Sequence, residues 1–261
     1  MKLEGQVALV TGASRGIGEA IARRFAAEGA AVAVSARTVA EGDHPFPGSI
    51  TTTVSAIEQA GGRAIAVAAD LARNEDRRTL VETVERELGA IDVLVNNAAI
   101  TYFEPVDTFS DRHFALMFEV QVRAPFELAQ LVIPGMRARG HGSILNISSG
   151  AARHPEGPPF SRRVRGGTVY GMCKAALERF TSGLAAEVYD DHIAVNALSP
   201  SGLVPTPGVV HHGLDRGVPE DALEPVEVMA EAALALCCGD PVSLTGRVAY
   251  ARPLLAELTS D

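Results

Sequence analysis

Residues 11–18, read as Thr11, Gly12, Ala13, Ser14, Arg15, Gly16, Ile17 and Gly18, constrain this chain more than any other stretch. Before them, Val7, Ala8, Leu9 and Val10 form a short, branched apolar run, the pattern of a strand buried on both faces of a parallel sheet. After them, Ile17, Ala20, Ile21, Ala22 and Phe25 recur at helical spacing until Gly29 ends the pattern. Glycines in such a turn permit tight backbone geometry, close approach of a ligand, and close packing of helix on strand. The free N–H groups of the helix start then face an anion. A lone glycine motif is weak, but strand, turn and helix together make this one a phosphate cradle.

The second strand, at 31–36, ends at Arg37. In a dinucleotide fold an acidic residue at this point bonds the adenosine ribose, whereas a positive one accommodates a 2′-phosphate. With Arg15 inside the glycine turn, two guanidinium groups can flank one phosphate. Each contact is worth roughly 4 kcal/mol at 4 Å with an effective dielectric near 20, and less where solvent screens it. NADP(H) is therefore preferred over NAD, the alternative being two unrelated surface arginines.

Residues 38–49 break the pattern with Gly42, Pro45, Pro47 and Gly48 and read as a long loop, either functional or a tolerated insertion. A helix over 50–60 stops at Gly61 and Gly62, and a strand over 64–68 delivers Asp70 and Leu71 to the same edge as Arg37. Asn74 is placed to cap a helix running to Leu88, with Gly89 as its stop. The fourth strand, 93–95, ends in Asn96, Asn97, Ala98 and Ala99. Helix follows over 111–139, with interruptions expected near Pro125 and Pro134. A strand at 143–147 ends in Ser148, Ser149 and Gly150. Residues 153–167 are irregular and contain Arg162, Arg163 and Arg165, readable as an anion-recognising cluster or as a solvated loop. Helix resumes through Tyr170 and Lys174 to about Tyr189, a sixth strand at 193–198 ends at Ser199 and Pro200, and 205–225 reads as loop with a short helix. A helix over 226–238 and an edge strand at 247–251 complete the chain. This alternation predicts an α/β fold, a Rossmann-type doubly wound parallel sheet forming a single domain over 1–261.

The formal net charge of −9 argues against nucleic acid as a partner. No apolar run reaches the roughly 18 residues of a membrane span, and no leader precedes the first strand, so a soluble, cytoplasmic protein is expected. Cys173, Cys237 and Cys238 lack metal or disulfide spacing and are assigned to packing in a reducing compartment. The seven histidines, His44, His113, His141, His154, His192, His211 and His212, show no ligand pattern, so no metal is expected.

Tyr170 and Lys174, four apart on a helix, share one face. Bringing a phenol from about 10 to about 7 requires roughly 4 kcal/mol in favour of the phenolate, part of which a neighbouring ammonium supplies. Ser149, at the end of the preceding strand, is placed to bond a substrate oxygen against the Tyr170 hydroxyl.

With these motifs in this order, the chain resembles the short-chain dehydrogenase/reductase family over nearly its whole length. The resemblance implies one Rossmann-type domain, a homotetramer or homodimer, and hydride transfer between a nicotinamide cofactor and a small-molecule alcohol or carbonyl. It implies that Tyr170 is the general acid or base, that Lys174 lowers its pKa and bonds the nicotinamide ribose, and that Ser149, chosen over Ser148, positions the carbonyl. Gly12, Ser14, Arg15, Gly16, Ile17, Gly18 and Arg37 then contact the phosphates. Asp70 and Leu71 lie beside adenine, Asn97 and Ala98 lie on the fourth strand, and Pro200, Val204 and Thr206 fall toward the nicotinamide. Three departures stand out. Gln121 replaces the usual proton-relay asparagine, Ser201 replaces the usual glycine after Pro200, and the gap from Ser149 to Tyr170 is longer than usual. A carbonyl reductase using NADPH is the leading expectation. A cofactor-binding sensor or scaffold, and a non-redox enzyme on the same fold, are the alternatives.

Overall fold

The computed structural model describes residues 1–161, 165–211 and 213–260. Seven parallel strands run through it: β1 (Val7–Thr11), β2 (Ala31–Ala36), β3 (Arg63–Ala68), β4 (Val93–Asn96), β5 (Gly142–Ile147), β6 (Ile193–Ser199) and β7 (Val248–Tyr250). They form one sheet in the order β3-β2-β1-β4-β5-β6-β7. The order reverses direction at β1, so β1 and β4 flank the switch point where such sheets bind ligands at their carboxyl ends.

The helices are α1 (Gly16–Ala27), α2 (Ile50–Gln59), α3 (Asn74–Glu87), α4 (Asp111–Phe118), α5 (Ala124–Arg139), α6 (Thr168–Glu187), α7 (Pro207–His211), α8 (Val226–Cys238) and α9 (Ala251–Leu258). They cover both faces of the sheet. Along β1, Ala8 and Val10 enter a core shared with α1, α8 and α9. Val7 and Leu9 enter the opposite core, with α3 and α5. A strand buried on both faces has no polar side, which is why its sequence is continuously apolar.

Three expectations are corrected. Asn74 is the first residue of α3 rather than its cap; Arg73 holds the cap position, with no side-chain capping bond. The Asn74 amide instead donates to Glu127 Oε2 at 3.2 Å. The break in the 111–139 helix is a π turn at Glu119–Arg123, not a proline kink. Pro125 sits in the first turn of α5, where its missing N–H is tolerated, and Pro134 lies inside that helix. Helix α9 was not anticipated.

Candidate active site

The glycine turn is shaped by contact with β4. Gly12 has φ +64°, and a Cβ there would lie 2.7 Å from the Ala98 Cα. A Cβ on Gly18 would collide with the Asn97 side-chain amide. The Asn97 amide in turn donates to the Thr11 and Gly12 carbonyls at 2.9 and 3.0 Å. Thr11 Oγ1 donates to the Val95 carbonyl and accepts from the Asn97 and Ala98 N–H groups. Asn97 and Ala98 therefore brace the turn from below. Helix α1 begins at Gly16 without a side-chain cap on its orphan N–H groups. That open, positively polarised helix start, beside glycines whose side chains the turn could not hold, fits a dinucleotide pyrophosphate. Ser14 is buried and Ile17 partly exposed within the same turn.

Arg15 lies within the glycine turn, and Arg37 follows the neighbouring strand β2. Arg37 is exposed just past β2. Arg15 is half-buried and held by the 38–49 loop: Nε donates to the Pro47 carbonyl at 2.9 Å, and Nη2 donates to the Gly48 carbonyl at 2.6 Å and to Thr38 Oγ1 at 3.3 Å. The loop is thus an integral wall of the site. Its Phe46 ring lies 4.5 Å from that of His44 and 4.5 Å from that of His211 on α7. From the other side, Thr206 presses on the turn, with its Cγ2 3.0 Å from where a Gly16 Cβ would be. The segments 38–49 and 204–211 together roof the glycine turn.

Asp70 and Leu71 follow β3. Asp70 accepts from the Ala72 N–H, and the Leu71 carbonyl accepts from Arg77 at 2.5 Å. Arg77 is 1% exposed and also reaches Glu119 at 2.8 Å and Glu127 at 2.7 Å. Burial works against the Glu127 carboxylate, yet Arg123 and Arg77 hold its pKa below the usual value. Glu119 and Arg123 are the two ends of the π turn, so this ion cluster clamps the turn that carries Gln121.

At the other end of the sheet edge, α6 presents Tyr170, Lys174 and Glu178 at successive turns. The Ser149 hydroxyl neighbours that of Tyr170 and favours its phenolate. Ser149 also caps the short 3-10 turn Gly150–Ala152, accepting from the Ala151 N–H at 3.2 Å. Ser148 points away and donates to Glu178 Oε1 at 2.7 Å. Lys174 Nζ donates to the Ile147 carbonyl at 2.8 Å and sits 5.6 Å from the Tyr170 ring centroid. Desolvation raises the Tyr170 pKa, and the neighbouring Ser149 hydroxyl opposes the rise. Lys174 is itself pulled down to about 8 by burial, against the raising influence of Cys173 and Glu178. In this arrangement the Lys174 ammonium is engaged by a backbone carbonyl, and Ser149 is the group that lowers the phenol's pKa.

Gln121 is buried in the π turn. Its Nε2 donates to the Ile100 carbonyl at 2.8 Å, while Oε1 is enclosed with no hydrogen-bond partner among the described residues. Val204 is buried, Pro200 follows β6, and the Thr206 N–H donates to the Val204 carbonyl at 2.7 Å. Ser201 has a structural use: its N–H donates to the buried Glu224 carboxylate and its Oγ accepts from the Arg252 N–H. Arg162, Arg163 and His212 lie outside the described residues, and Arg165 is exposed. The three cysteines are free thiols, and among the described residues no cluster of three His, Cys, Asp or Glu side chains could hold a metal. No described helix is long and apolar enough to cross a membrane.

Sequence reasoning missed Arg77, Glu178, Glu224 and the amide ladder in which Asn96 donates to Asn146 and Asn146 to Thr181, both at 2.9 Å. That ladder ties β4 and β5 to α6 at Thr181. Only Glu178, one helical turn beyond Lys174, carried a local signal.

A family profile described as short chain dehydrogenase matches residues 6–213. The short-chain reductase protein NovJ of Streptomyces niveus is 37% identical over 259 residues, covering 98% of this chain and 90% of NovJ. A metagenomic short-chain oxidoreductase solved in complex with NADP is 28% identical and superposes with a TM-score of 0.77, covering 96% of this chain and 99% of that one. L-Sorbose reductase from Gluconobacter frateurii, solved with NADPH and L-sorbose, is 31% identical with a TM-score of 0.81, over 96% and 97% of the two chains. Fold, turn and comparisons agree: the chain belongs to the short-chain dehydrogenase family. It is an oxidoreductase of the kind that works with a nicotinamide cofactor.

Proposed function

We propose that this protein interconverts a small-molecule ketone or aldehyde and the corresponding alcohol, using NADP(H). The observation that carries the reading is the Ser149–Tyr170 hydroxyl pair, one helical turn from the enclosed Lys174 ammonium, at the sheet edge that also holds the glycine turn. NADPH, when bound, supplies hydride to the carbonyl carbon. Tyr170 gives its hydroxyl proton to the carbonyl oxygen, and Ser149 holds that oxygen by a hydrogen bond. In the oxidative direction the same hydroxyl takes the proton back. Lys174 is the ribose-facing cation once it leaves the Ile147 carbonyl, and from that position it favours the phenolate. Gln121, through its enclosed Oε1, is the group available to support a relay water. Arg15 and Arg37 provide the preference for a 2′-phosphate. Assembly as a homodimer or homotetramer belongs to the same reading and is tested by light scattering.

The central test follows NADPH absorbance with a panel of ketones and aldehydes. Turnover is expected, and Tyr170→Phe should reduce it by about 10²–10⁴-fold, the usual contribution of a positioned acid or base. A fully active Tyr170→Phe enzyme would refute the assigned chemistry.

A further inference from the structure

The π turn at Glu119–Arg123 is held from outside its own helix. A π turn departs from the register of the α-helices around it and is found most often where function uses the departure. Arg77 of α3, 1% exposed, reaches across to it: Nη1 donates to Glu119 Oε1 at 2.8 Å and to the Leu71 carbonyl at 2.5 Å, and Nε donates to Glu127 Oε2 at 2.7 Å. Glu119 opens the π turn and Glu127 stands in the first turn of α5, so one guanidinium spans the segment that carries Gln121. The fork is planar and its acceptors lie on three different segments, a geometry that a lysine ammonium does not reproduce. Gln121 is equally enclosed, at 1% exposed, with Nε2 on the Ile100 carbonyl at 2.8 Å. Its neighbour Val122 packs with Ile100 and Tyr170 in one small apolar cluster around Met117 and Cys173. The π turn thus links Arg77 on α3 to the packing around Tyr170 on α6.

Resting on the proton-relay reading above, we propose that Arg77 is a positioning residue for Gln121: by bridging Glu119 and Glu127 across the π turn, it fixes the amide where Oε1 serves the proton path of Tyr170. Arg77 touches neither substrate nor cofactor on this reading and acts on the reaction only through Gln121. Without the fork, two carboxylates are left facing each other and the turn is free to relax toward α-helical register, which re-aims the amide. Misplacement of a catalytic group by about 1 Å is enough to cost about a hundredfold in rate.

A double-mutant cycle of Arg77→Lys and Gln121→Ala, read as kcat and KM from NADPH absorbance with a ketone that the parent reduces, tests this. Lysine keeps the buried charge and loses the fork. Arg77→Lys is expected to lower kcat about tenfold or more with the KM values for NADPH and ketone nearly unchanged, and to have no further effect once Gln121 is alanine, where nothing is left to position. Thermal melts establish that each variant is folded. Where Arg77→Lys is not, Glu119→Gln replaces it, removing the charge that the fork holds on the turn, and is expected to lower kcat only where Gln121 is present. The same fold-loss in both backgrounds would make Arg77 merely structural and overturn the proposal, as would full kcat in Arg77→Lys beside a slow Gln121→Ala. Full kcat in Gln121→Ala would overturn the relay and the positioning role together, leaving the Ser149 and Tyr170 chemistry to stand or fall on Tyr170→Phe. A parent that reduces no carbonyl would overturn the proposed function and this role with it.

Discussion

The Lys174 ammonium, one helical turn beyond Tyr170, donates to the Ile147 carbonyl at 2.8 Å and is 3% exposed. Burial brings its pKa down to about 8 from 10.5. Between those values the native state binds fewer protons than the unfolded chain, so this group makes stability rise with pH there, and below about 8 its full penalty stands. The stability of Lys174→Met relative to the parent should therefore fall as pH rises from about 8 to 10. Urea denaturation at both ends of that range checks it; a constant difference would contradict the placement.

Gly12 combines φ +64° with a neighbour, the Ala98 Cα, that cannot swing aside. Gly12→Ala is expected to cost about 1–3 kcal/mol of stability and to abolish measurable cofactor binding. Gly61 is the control: it has φ +83° with nothing within 4 Å, so Gly61→Ala carries backbone strain alone and should bind cofactor normally. Thermal melts and calorimetry of the pair separate crowding from strain.

Removing the Arg77 guanidinium leaves Glu119 and Glu127 facing each other without their buried partner. Arg77→Met should lose about 3–5 kcal/mol in urea unfolding, as broken buried pairs do. Arg123 meets the same Glu127 at 2.7 Å, but its side chain is 63% exposed, and Arg123→Ala should cost less than about 1 kcal/mol. Similar losses for both would show that burial does not set the strength of this cluster.

Arg37 is exposed at the end of β2, with no acidic residue beside it in the chain to bond a ribose. Arg37→Ala should weaken NADPH binding by about tenfold or more and leave NADH binding nearly unchanged. Fluorescence titration with both cofactors decides the matter, and equal losses would remove Arg37 from the phosphate site.

The sheet was legible because its inner strands are buried on both faces. Val7 through Val10 are apolar throughout, the run at 31–36 has Ser35 as its one polar residue, and Gly29, Gly61 and Gly89 follow the first three helices, so a doubly wound parallel sheet followed from alternation. The Ser149, Tyr170 and Lys174 grouping was legible too, because each stands at an element end or at helical spacing. The π turn was not, since a change in backbone hydrogen-bond register leaves no side-chain signature, and two prolines nearby offered a more obvious cause. Arg77 was invisible for another reason: charge on a helix reads as solvent-facing, and its partners Glu119 and Glu127 lie 42 and 50 residues away. The 38–49 loop has no periodicity at all, so its hold on Arg15 through two backbone carbonyls could be seen only in three dimensions.

The contact between Phe46 and His211 joins a loop that follows β2 to a helix that follows β6, across the turn meant for the cofactor. On the proposed reading, this bridge would have to part for a dinucleotide to enter the turn from the side, so the loop after β2 and the helix after β6 would move together as cofactor comes and goes.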